Sequence, residues 1–312
     1  MMKTAEKKRK AGGRKVTFRQ TWQYHLLILP GFLVVFIYTI IPFFGNIMAF
    51  QNFQPIMGFF RSKWVGLDNF KRMFILPDTV RIFRNSFCIA VGKLILTMVF
   101  AILFAILLNE VRKVRFKKAV QTVCFLPHFL SWVILATIFR SLLDTNGIVN
   151  QMLMNIGILK EPLLFLGSNS IFPGVIVATD VWKEFGYSAI IFMAALAGIN
   201  PELYEAADVD GAGRLAKIWH VTLPGIRITI VLVATLNIAN ILNAGFDQVY
   251  NMYSPVVYES GDIIDTYVYR MSFINAQYSL ATAIGLMKSA ISFIMIITAH
   301  ALAKKFANYQ IF

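Results

Sequence analysis

The sequence predicts an all-α integral membrane protein with six transmembrane helices and both termini in the cytoplasm. Hydrophobic residues make up 57% of the 312-residue chain, its mean hydropathy is +0.64, and the apolar residues fall in long blocks. A helix that crosses the hydrocarbon core of a bilayer needs about 20 mostly apolar residues, and it satisfies its own backbone hydrogen bonds. The blocks that qualify lie at roughly residues 26–50, 86–108, 121–143, 172–196, 226–247 and 283–303.

The distribution of Lys and Arg gives the predicted orientation of these helices. Cytoplasmic loops of membrane proteins carry an excess of both residues. If the chain has six spans, 17 Lys and Arg residues outside the spans lie on the side of the two termini, and 8 lie on the other side. Residues 1–25 are therefore predicted to form a basic cytoplasmic arm, residues 26–305 the transmembrane domain, and residues 306–312 a cytoplasmic tail. The loop 51–85 does not follow this rule, since it is predicted on the side opposite the termini but carries six basic and two acidic residues. Long loops, however, cross the membrane largely regardless of charge.

The net charge of +14 does not indicate nucleic-acid binding. Most of the excess is the cytoplasmic bias just described, and basic segments beside a membrane are attracted to anionic lipid headgroups. Membrane lipids are therefore predicted partners, and nucleic acid is not.

A polar stretch at residues 200–226 interrupts the apolar blocks. Asn200 can cap a helix whose first position is Pro201, and Gly211 suits a turn that other residues would make at a steric cost. A second short helix follows, and Pro224 begins the next span. Such a stretch can be bound by a partner protein outside the bilayer. An amphipathic hairpin that lies on the membrane without any partner would have the same pattern.

The spacing within this stretch resembles a known motif. Glu-Ala-Ala at 205–207 is followed after three residues by Gly211 and, after nine more, by Val-x-Leu-Pro at 221–224. This pattern resembles the EAA loop of permease subunits in binding-protein-dependent ABC importers, with Val221 where Ile is usual.

The resemblance covers nearly the whole chain and indicates the maltose-permease type. The most similar subgroup is that of oligosaccharide and polysaccharide-derived sugar permeases. The motifs that carry the resemblance are VGLDNF at 65–70, AILLNE at 105–110, LPHF at 126–129, SW at 131–132 and DTYVYR at 265–270.

The resemblance implies the ABC importer (MetI-like) permease fold, with residues 200–226 as a cytoplasmic EAA coupling loop. In that family two permease subunits form the pathway, and closure of two cytoplasmic ATPases rocks the helices between inward-facing and outward-facing states. Glu205 would then meet a basic residue of the ATPase, and Gly211 would set the angle between the helices of the loop. The implied ATPase-coupling residues are Glu205, Ala206, Ala207, Asp210, Gly211, Leu223 and Pro224.

The resemblance also implies partners, cargo and location. The partners are a second, similar permease subunit in a heterodimer, two ABC ATPase subunits and an extracytoplasmic solute-binding protein. The binding protein delivers a carbohydrate, which the subgroup suggests is an oligosaccharide. ATP and Mg are bound by the partner ATPase, and this chain binds no cofactor. The implied location is a bacterial plasma membrane, which the chain crosses several times, and the subgroup favours a Gram-positive cell.

The sequence contains no motif for nucleotide or metal chemistry. Neither a Gly-x-x-x-x-Gly-Lys-Ser/Thr loop nor a His-Glu-x-x-His motif occurs, and the four histidines are scattered. We therefore predict that the chain is not an enzyme, with no catalytic residue and no metal site.

Polar residues inside two spans are candidates for a substrate pathway, because such residues usually face a bundle interior or a wet cavity. At 100° per residue, one set in the fourth span falls within about 100° and one in the fifth within about 120°. Their amides and carboxylates match the hydroxyls of a sugar, and a tyrosine offers a surface for a sugar ring. The candidates are Asp180, Glu184 and Tyr187 with the neighbouring Lys183, and Asn237, Asn240, Asn243 and Asp247.

Structural roles would explain the same residues. Asp180 and Lys183 can neutralise each other, and Asn side chains commonly join helices. Lys93 and Lys288 are expected to reach towards the interface or to neighbouring helices. His128, which follows a proline, is expected to serve the entry of a helix.

Two other functional classes stay open on sequence alone. A membrane scaffold or signalling protein could recruit a cytoplasmic partner through residues 200–226 without any transport. An ion-driven secondary transporter would be expected to contain inverted repeats and broken helices, and no convincing repeat is seen.

Overall fold

A computed structural model describes residues 18–238 and 241–307. The described chain is almost entirely helical, with one short antiparallel hairpin of β1 (Gln51–Asn52) and β2 (Lys63–Trp64). It falls into two units, the first ending at Ile47 and the second beginning at Met48. Most of the predicted basic arm, the tail from residue 308 and Asn240 lie outside the described residues.

The first unit contains most of the predicted first span. Helix α1 (Phe18–Val35) contains Pro30 and continues through a π-helical turn (Phe36–Ile40) into α2 (Ile41–Phe43) and a 3-10 turn (Phe44–Phe50). The helical run from Trp22 to Phe50 is 29 residues long and strongly apolar, and its most apolar stretch has no buried residue. Such an apolar, exposed surface suits lipid, so the helical prediction for residues 26–50 is confirmed.

The second unit holds three long helices at predicted spans. They are α5 (Pro77–Asn109), α9 (Phe172–Ala197) and α17 (Tyr278–Ala307). The shorter helices before α9 are α3 (Gly58–Arg61), α4 (Asp68–Ile75), α6 (Val114–Phe125), α7 (Trp132–Leu142) and α8 (Ile148–Asn155). Those after it are α10 (Pro201–Val209), α11 (Arg214–Lys217), α12 (Leu223–Gly225), α13 (Arg227–Ile238), α14 (Phe246–Met252), α15 (Tyr258–Gly261) and α16 (Ile264–Tyr269).

A single helix over 121–143 was the wrong prediction for the third span. Helices α6 and α7 meet at an angle of 102°, with a 3-10 turn (Leu126–Phe129) between them. Pro127 in this turn cannot donate a backbone hydrogen bond. Leu130 and Ser131 are then extended, and the Ser131 side chain accepts from the Ile134 amide to start α7. A proline and a new helix cap therefore break the span.

The predicted helix over 226–247 is also corrected. Helix α13 ends at Ile238, and α14 begins at Phe246, after a segment in which Gly245 has a φ of +91°. A left-handed residue at that position ends any continuous helix, and glycine adopts it without a steric penalty. Asp247 therefore lies in the first turn of α14, on a different helix from Asn237.

The described residues give three helices long and apolar enough to cross a membrane, or up to five if each bent pair is one span. The second bent pair is α11–α12 with α13, at 58°. Helix α9 has 26 residues but carries Asp180, Lys183 and Glu184 in its middle. A helical membrane fold is thus confirmed, whereas the count of six spans stays a prediction.

The core of the second unit is formed chiefly by α5 packed along α9. Gly186 on α9 also allows α6 to approach, because a Cβ atom there would lie 2.7 Å from the carbonyl carbon of Cys124. Two buried clusters result, one centred on Ile89, Phe172, Ile176, Ile264 and Ile284, and one on Ala101, Ala105, Ala189, Phe192 and Ile226.

Candidate functional site

A cavity of about 530 Å³ lies between α5, α9, α13 and the segment that joins α13 to α14. Its walls are mostly aliphatic, with polar groups from each of these elements. The polar and charged lining residues are Lys93, Thr97, Asp180, Glu184, Tyr187, Ser188, Asn237 and Asn243.

Five of the seven candidate pathway residues border this one cavity. Asp180, Glu184 and Tyr187 reach it from α9, while Asn237 and Asn243 reach it from α13 and the segment after it. The two polar faces predicted independently from periodicity thus converge in the structure. The other two candidates differ: Asp247 is exposed on α14 and is not among the lining residues, and Asn240 lies outside the described residues.

Lys93 joins three elements at the cavity wall. Its Nζ atom lies 3.1 Å from Asp180 Oδ1, donates to the Ala244 carbonyl at 2.7 Å, and donates to Gln248 Oε1. The interhelical role expected of Lys93 is confirmed. The alternative that Asp180 is neutralised by Lys183 is corrected, because Lys93 from α5 is its partner. The proposed pairing followed i,i+3 spacing, and the observed partner is distant in sequence.

Gln248 extends this contact behind the cavity and was missed by the sequence analysis. Its side chain is fully buried, and its Nε2 atom donates to the Ile176 carbonyl at 2.7 Å and to Thr179 Oγ1 at 2.8 Å. It therefore ties the start of α14 to α9. Gln248 lies on a short helix and outside the polar face predicted for the fifth span, so no sequence pattern identified it.

A second cluster links the bend between α6 and α7 to α9. His128 Nδ1 lies 2.7 Å from Glu184 Oε2, and Lys183 Nζ donates to Glu184 Oε1 at 2.9 Å. Lys183 also donates to the His128 carbonyl at 2.7 Å and lies over the Trp132 ring. The three side chains hold the bent segment against α9. His128 was expected only to serve a helix entry, and its contact with Glu184 was missed.

Lys288 is likewise an interhelical lysine, as expected. Its Nζ atom on α17 lies 2.6 Å from Asp265 Oδ1 on α16. Asp265 opens the DTYVYR motif, so this motif is fixed to the long C-terminal helix.

The other end of that motif is fixed by a second ion pair. Arg270 donates through both terminal nitrogens to Asp262, and its guanidinium lies 4.2 Å from the Tyr258 ring centroid. Burial alone would lower the pKa of Arg270, but hydrogen bonding to Asp262 raises it above its ordinary value, so Arg270 stays charged. The motif at 265–270 is thus anchored at both ends.

The stretch 200–226 contains the two predicted short helices, α10 and α11, followed by a π-helical turn (Ile218–Thr222) and α12. Pro224 was predicted to begin the next span, but it lies within the helical run Arg214–Gly225, and α13 begins at Arg227 after a bend of 58°. The Asn200 side chain accepts from the Glu202 amide at 3.1 Å, and Gly211 has a φ of +73° in the turn between the helices. Lys217 on α11 lies 2.7 Å from Asp208 on α10.

The predicted coupling residues lie largely on the surface of this stretch. Glu205, Ala206, Asp210, Gly211 and Pro224 are exposed, while Ala207 and Leu223 are half-buried. Large apolar side chains are exposed beside them, among them Val209 at 89% and Leu215 at 73%. The exposed carboxylate and apolar surface could contact a partner.

Comparison with known proteins agrees with this architecture. The family model described as "Binding-protein-dependent transport system inner membrane component" matches residues 98–308. Protein LplB of Bacillus subtilis (strain 168) is 40% identical, and the alignment covers all of both chains. The polygalacturonan/rhamnogalacturonan transport system permease protein YteP of the same organism is 38% identical, again over all of both chains.

A solved structure has the same fold. It is the bacterial alginate ABC transporter in complex with an alginate pentasaccharide-bound periplasmic protein. One of its chains superposes with a TM-score of 0.85 at 32% identity, covering 94% of this chain and 98% of that one. The resemblance recognised from the motifs is confirmed: the chain belongs to the family of inner membrane components of binding-protein-dependent transport systems.

Proposed function

We propose that this chain is a permease subunit of an ATP-driven ABC importer, which translocates an oligosaccharide delivered by an extracytoplasmic binding protein. Its full-length relatives include a permease named for polygalacturonan and rhamnogalacturonan transport, and the alginate transporter was solved with a saccharide-bound periplasmic protein. The observation that carries the proposal is the cavity of about 530 Å³, whose mostly apolar wall also includes polar groups from α5, α9, α13 and the segment after α13.

The chemistry of this cavity supports a saccharide. Asp180 is paired with Lys93, and Glu184 is paired with Lys183, so both acidic charges have a partner within 3.1 Å. Carboxylate oxygens and Asn amides offer acceptors and donors for hydroxyl groups. Asn237 and Asn243 supply the amides, and Asn240 and Asp247 stay predictions for the same pathway.

The membrane arrangement of the proposal has six spans with both termini in the cytoplasm of a bacterial cell. Helix α9 is the span that the count by composition leaves out. Its 26 residues give a length of roughly 39 Å, enough to cross the hydrocarbon core. Its Lys183 is buried and its Asp180 and Glu184 are ion-paired, which supports an inward-facing charged face.

The stretch 200–226 is the proposed site of ATPase coupling. In this arrangement it faces the cytoplasm, and Glu205 with Ala206, Asp210 and Gly211 presents an exposed surface to the ATPase. Loss of one partner of a buried charge pair at an interface costs about 2–5 kcal/mol, which would make Glu205 important for docking. A second permease subunit and two ATPases complete the transporter, and the ATPases hold ATP and Mg.

Stimulated ATP hydrolysis tests the proposal. The complex of this chain, the second permease and the ATPase would be reconstituted in nanodiscs, and the ATPase rate measured with and without the saccharide-loaded binding protein. We expect stimulation only when the loaded binding protein is present and this chain is included. An ATPase rate that does not respond to the binding protein would contradict the proposal and favour a scaffold.

A further inference from the structure

The ring of His128 lies flat against the ring of Tyr187, behind the wall of the cavity. Their centroids are 3.8 Å apart and their planes differ by 1°. Tyr187 borders the cavity and is 43% exposed, whereas His128 is not among the lining residues. Phe129 packs edge-on against the tyrosine at 6.3 Å. One face of the tyrosine is therefore covered by His128, and the tyrosine forms part of the cavity lining.

The position of the imidazole is itself fixed by a closed set of contacts. Its Nδ1 atom lies 2.7 Å from Glu184, Glu184 accepts from Lys183 at 2.9 Å, and Lys183 donates to the His128 carbonyl at 2.7 Å. The lysine is buried. Both the backbone and the ring of His128 are thus held against α9, so the imidazole is a firm support for Tyr187.

We propose that His128 is a positioning residue for the saccharide site, because it holds the Tyr187 ring as a platform for the face of a pyranose ring. The inference rests on the proposed function. A side chain that is already fixed loses little rotamer freedom when a ligand binds, so its contact contributes fully to affinity and selectivity. A tyrosine without the histidine behind it could turn away, and selectivity for a closed sugar ring would fall.

Two substitutions separate the stacking contact from the hydrogen bond. His128→Phe keeps a flat ring against Tyr187 but removes the nitrogen that meets Glu184. His128→Asn keeps a group that can hydrogen-bond to Glu184 but removes the ring. Tyr187→Leu removes the tyrosine ring itself, and its effect is the reference for the effects of the two His128 variants.

The experiment uses the complete transporter with its binding protein in proteoliposomes. Lactose, diacetylchitobiose and alginate pentasaccharide serve as probes, and the best transported one is compared with its borohydride-reduced form, in which the terminal ring is open. The readout is the ratio of the two uptake rates. This ratio does not depend on how much complex folds, and the preference of the binding protein is the same for every variant.

We expect the wild type to prefer the intact saccharide. His128→Asn and Tyr187→Leu should each lower the ratio about three- to tenfold, which is the scale of an aromatic contact. The variant that combines His128→Asn with Tyr187→Leu should lower the uptake ratio no further than Tyr187→Leu alone, since His128 acts through Tyr187. His128→Phe should stay within about twofold of the wild type.

Other outcomes overturn the inference. A wild-type ratio near one, or a His128→Asn variant with lower uptake but an unchanged ratio, would show that the histidine only joins helices. A loss of the ratio in His128→Phe with an unchanged ratio in His128→Asn would assign the effect to the hydrogen bond with Glu184, and equal losses in both variants would show that the stacked ring alone does not hold Tyr187. Absence of uptake by the wild type in all three cases would overturn the proposed function itself.

Discussion

Lys93 on α5 and Asp180 on α9 form an ion pair in the wall of the cavity, with 3.1 Å between Nζ and Oδ1. Their side chains are 10% and 18% exposed. The ammonium group also donates to Ala244 and Gln248. One lysine therefore sets the relative positions of two long helices and of the segment that closes the cavity.

Lys93→Met should destabilise the protein strongly. The substitution leaves the Asp180 carboxylate buried without its cation, which typically costs about 3–5 kcal/mol. Thermal unfolding in detergent, followed by loss of monodisperse protein, measures the effect. Lys71→Met is the matched control, because Lys71 and Asp68 are 75% and 64% exposed and lie 3.5 Å apart. That pair should contribute less than about 1 kcal/mol. Equal unfolding temperatures for the two variants would contradict the structural role of Lys93.

Gly186→Ala should separate α6 from α9. A Cβ atom at this position would overlap the backbone carbonyl of Cys124, and backbone cannot move aside as a flexible side chain can. Overpacking of this kind costs about 1–3 kcal/mol. Gly174→Ala on the same helix is the control, since nothing lies within 4 Å of its Cβ position. It should be neutral or slightly stabilising, and thermal unfolding would compare the two. If Gly186→Ala were as stable as Gly174→Ala, the close approach of α6 would be wrong.

Gly211→Ala should weaken ATPase docking. Gly211 has a φ of +73°, which costs roughly 1–2 kcal/mol for an alanine, so the angle between α10 and α11 would change. Gly213→Ala is the control, because Gly213 has a φ of −67° that alanine adopts freely. Co-purification of the ATPase with each variant gives the comparison. We expect reduced retention for Gly211→Ala only, and the idea fails if both variants retain the ATPase equally.

Asn237→Leu should reduce saccharide uptake with little loss of protein. Asn237 is an exposed residue that lines the cavity. Leucine at this position therefore removes a hydrogen-bond donor and an acceptor from the cavity wall without burying another polar group. Asn251→Leu is the control, because Asn251 lies on α14 outside the cavity and bonds only to the Asp247 carbonyl among the contacts described for it. Uptake should fall by about tenfold for Asn237→Leu, as loss of a net hydrogen bond of about 1.4 kcal/mol predicts. Similar uptake by both variants would remove Asn237 from the pathway.

Local sequence was sufficient to predict the cap and the turn within residues 200–226. Asn200 caps α10, Pro201 begins it, and Gly211 takes the left-handed turn. Each of these roles follows from the chemistry of one residue and its immediate neighbours. The long apolar helices were predicted for the same reason, since length and hydropathy are also local properties.

Contacts between distant parts of the chain could not be predicted in this way. Helical periodicity placed Asp180 and Asn237 on polar faces, but not in one cavity, because it carries no information on how α9 and α13 pack. The partners of Lys93, the stack of His128 on Tyr187 and the role of Gln248 all join residues far apart in sequence. The break before α7 was missed because hydropathy averages over Pro127 and Ser131.

The most direct test of the central claim is uptake of a labelled saccharide into proteoliposomes that contain the complete transporter. In the proposed orientation, residues 200–226 face the interior of the proteoliposome. The label should then accumulate inside only with ATP in the interior and the loaded binding protein outside. Glu205→Arg should abolish accumulation while this chain still assembles with the second permease. Accumulation without ATP, or full activity in the Glu205→Arg variant, would contradict the account of this chain as an ATP-driven saccharide permease coupled through residues 200–226.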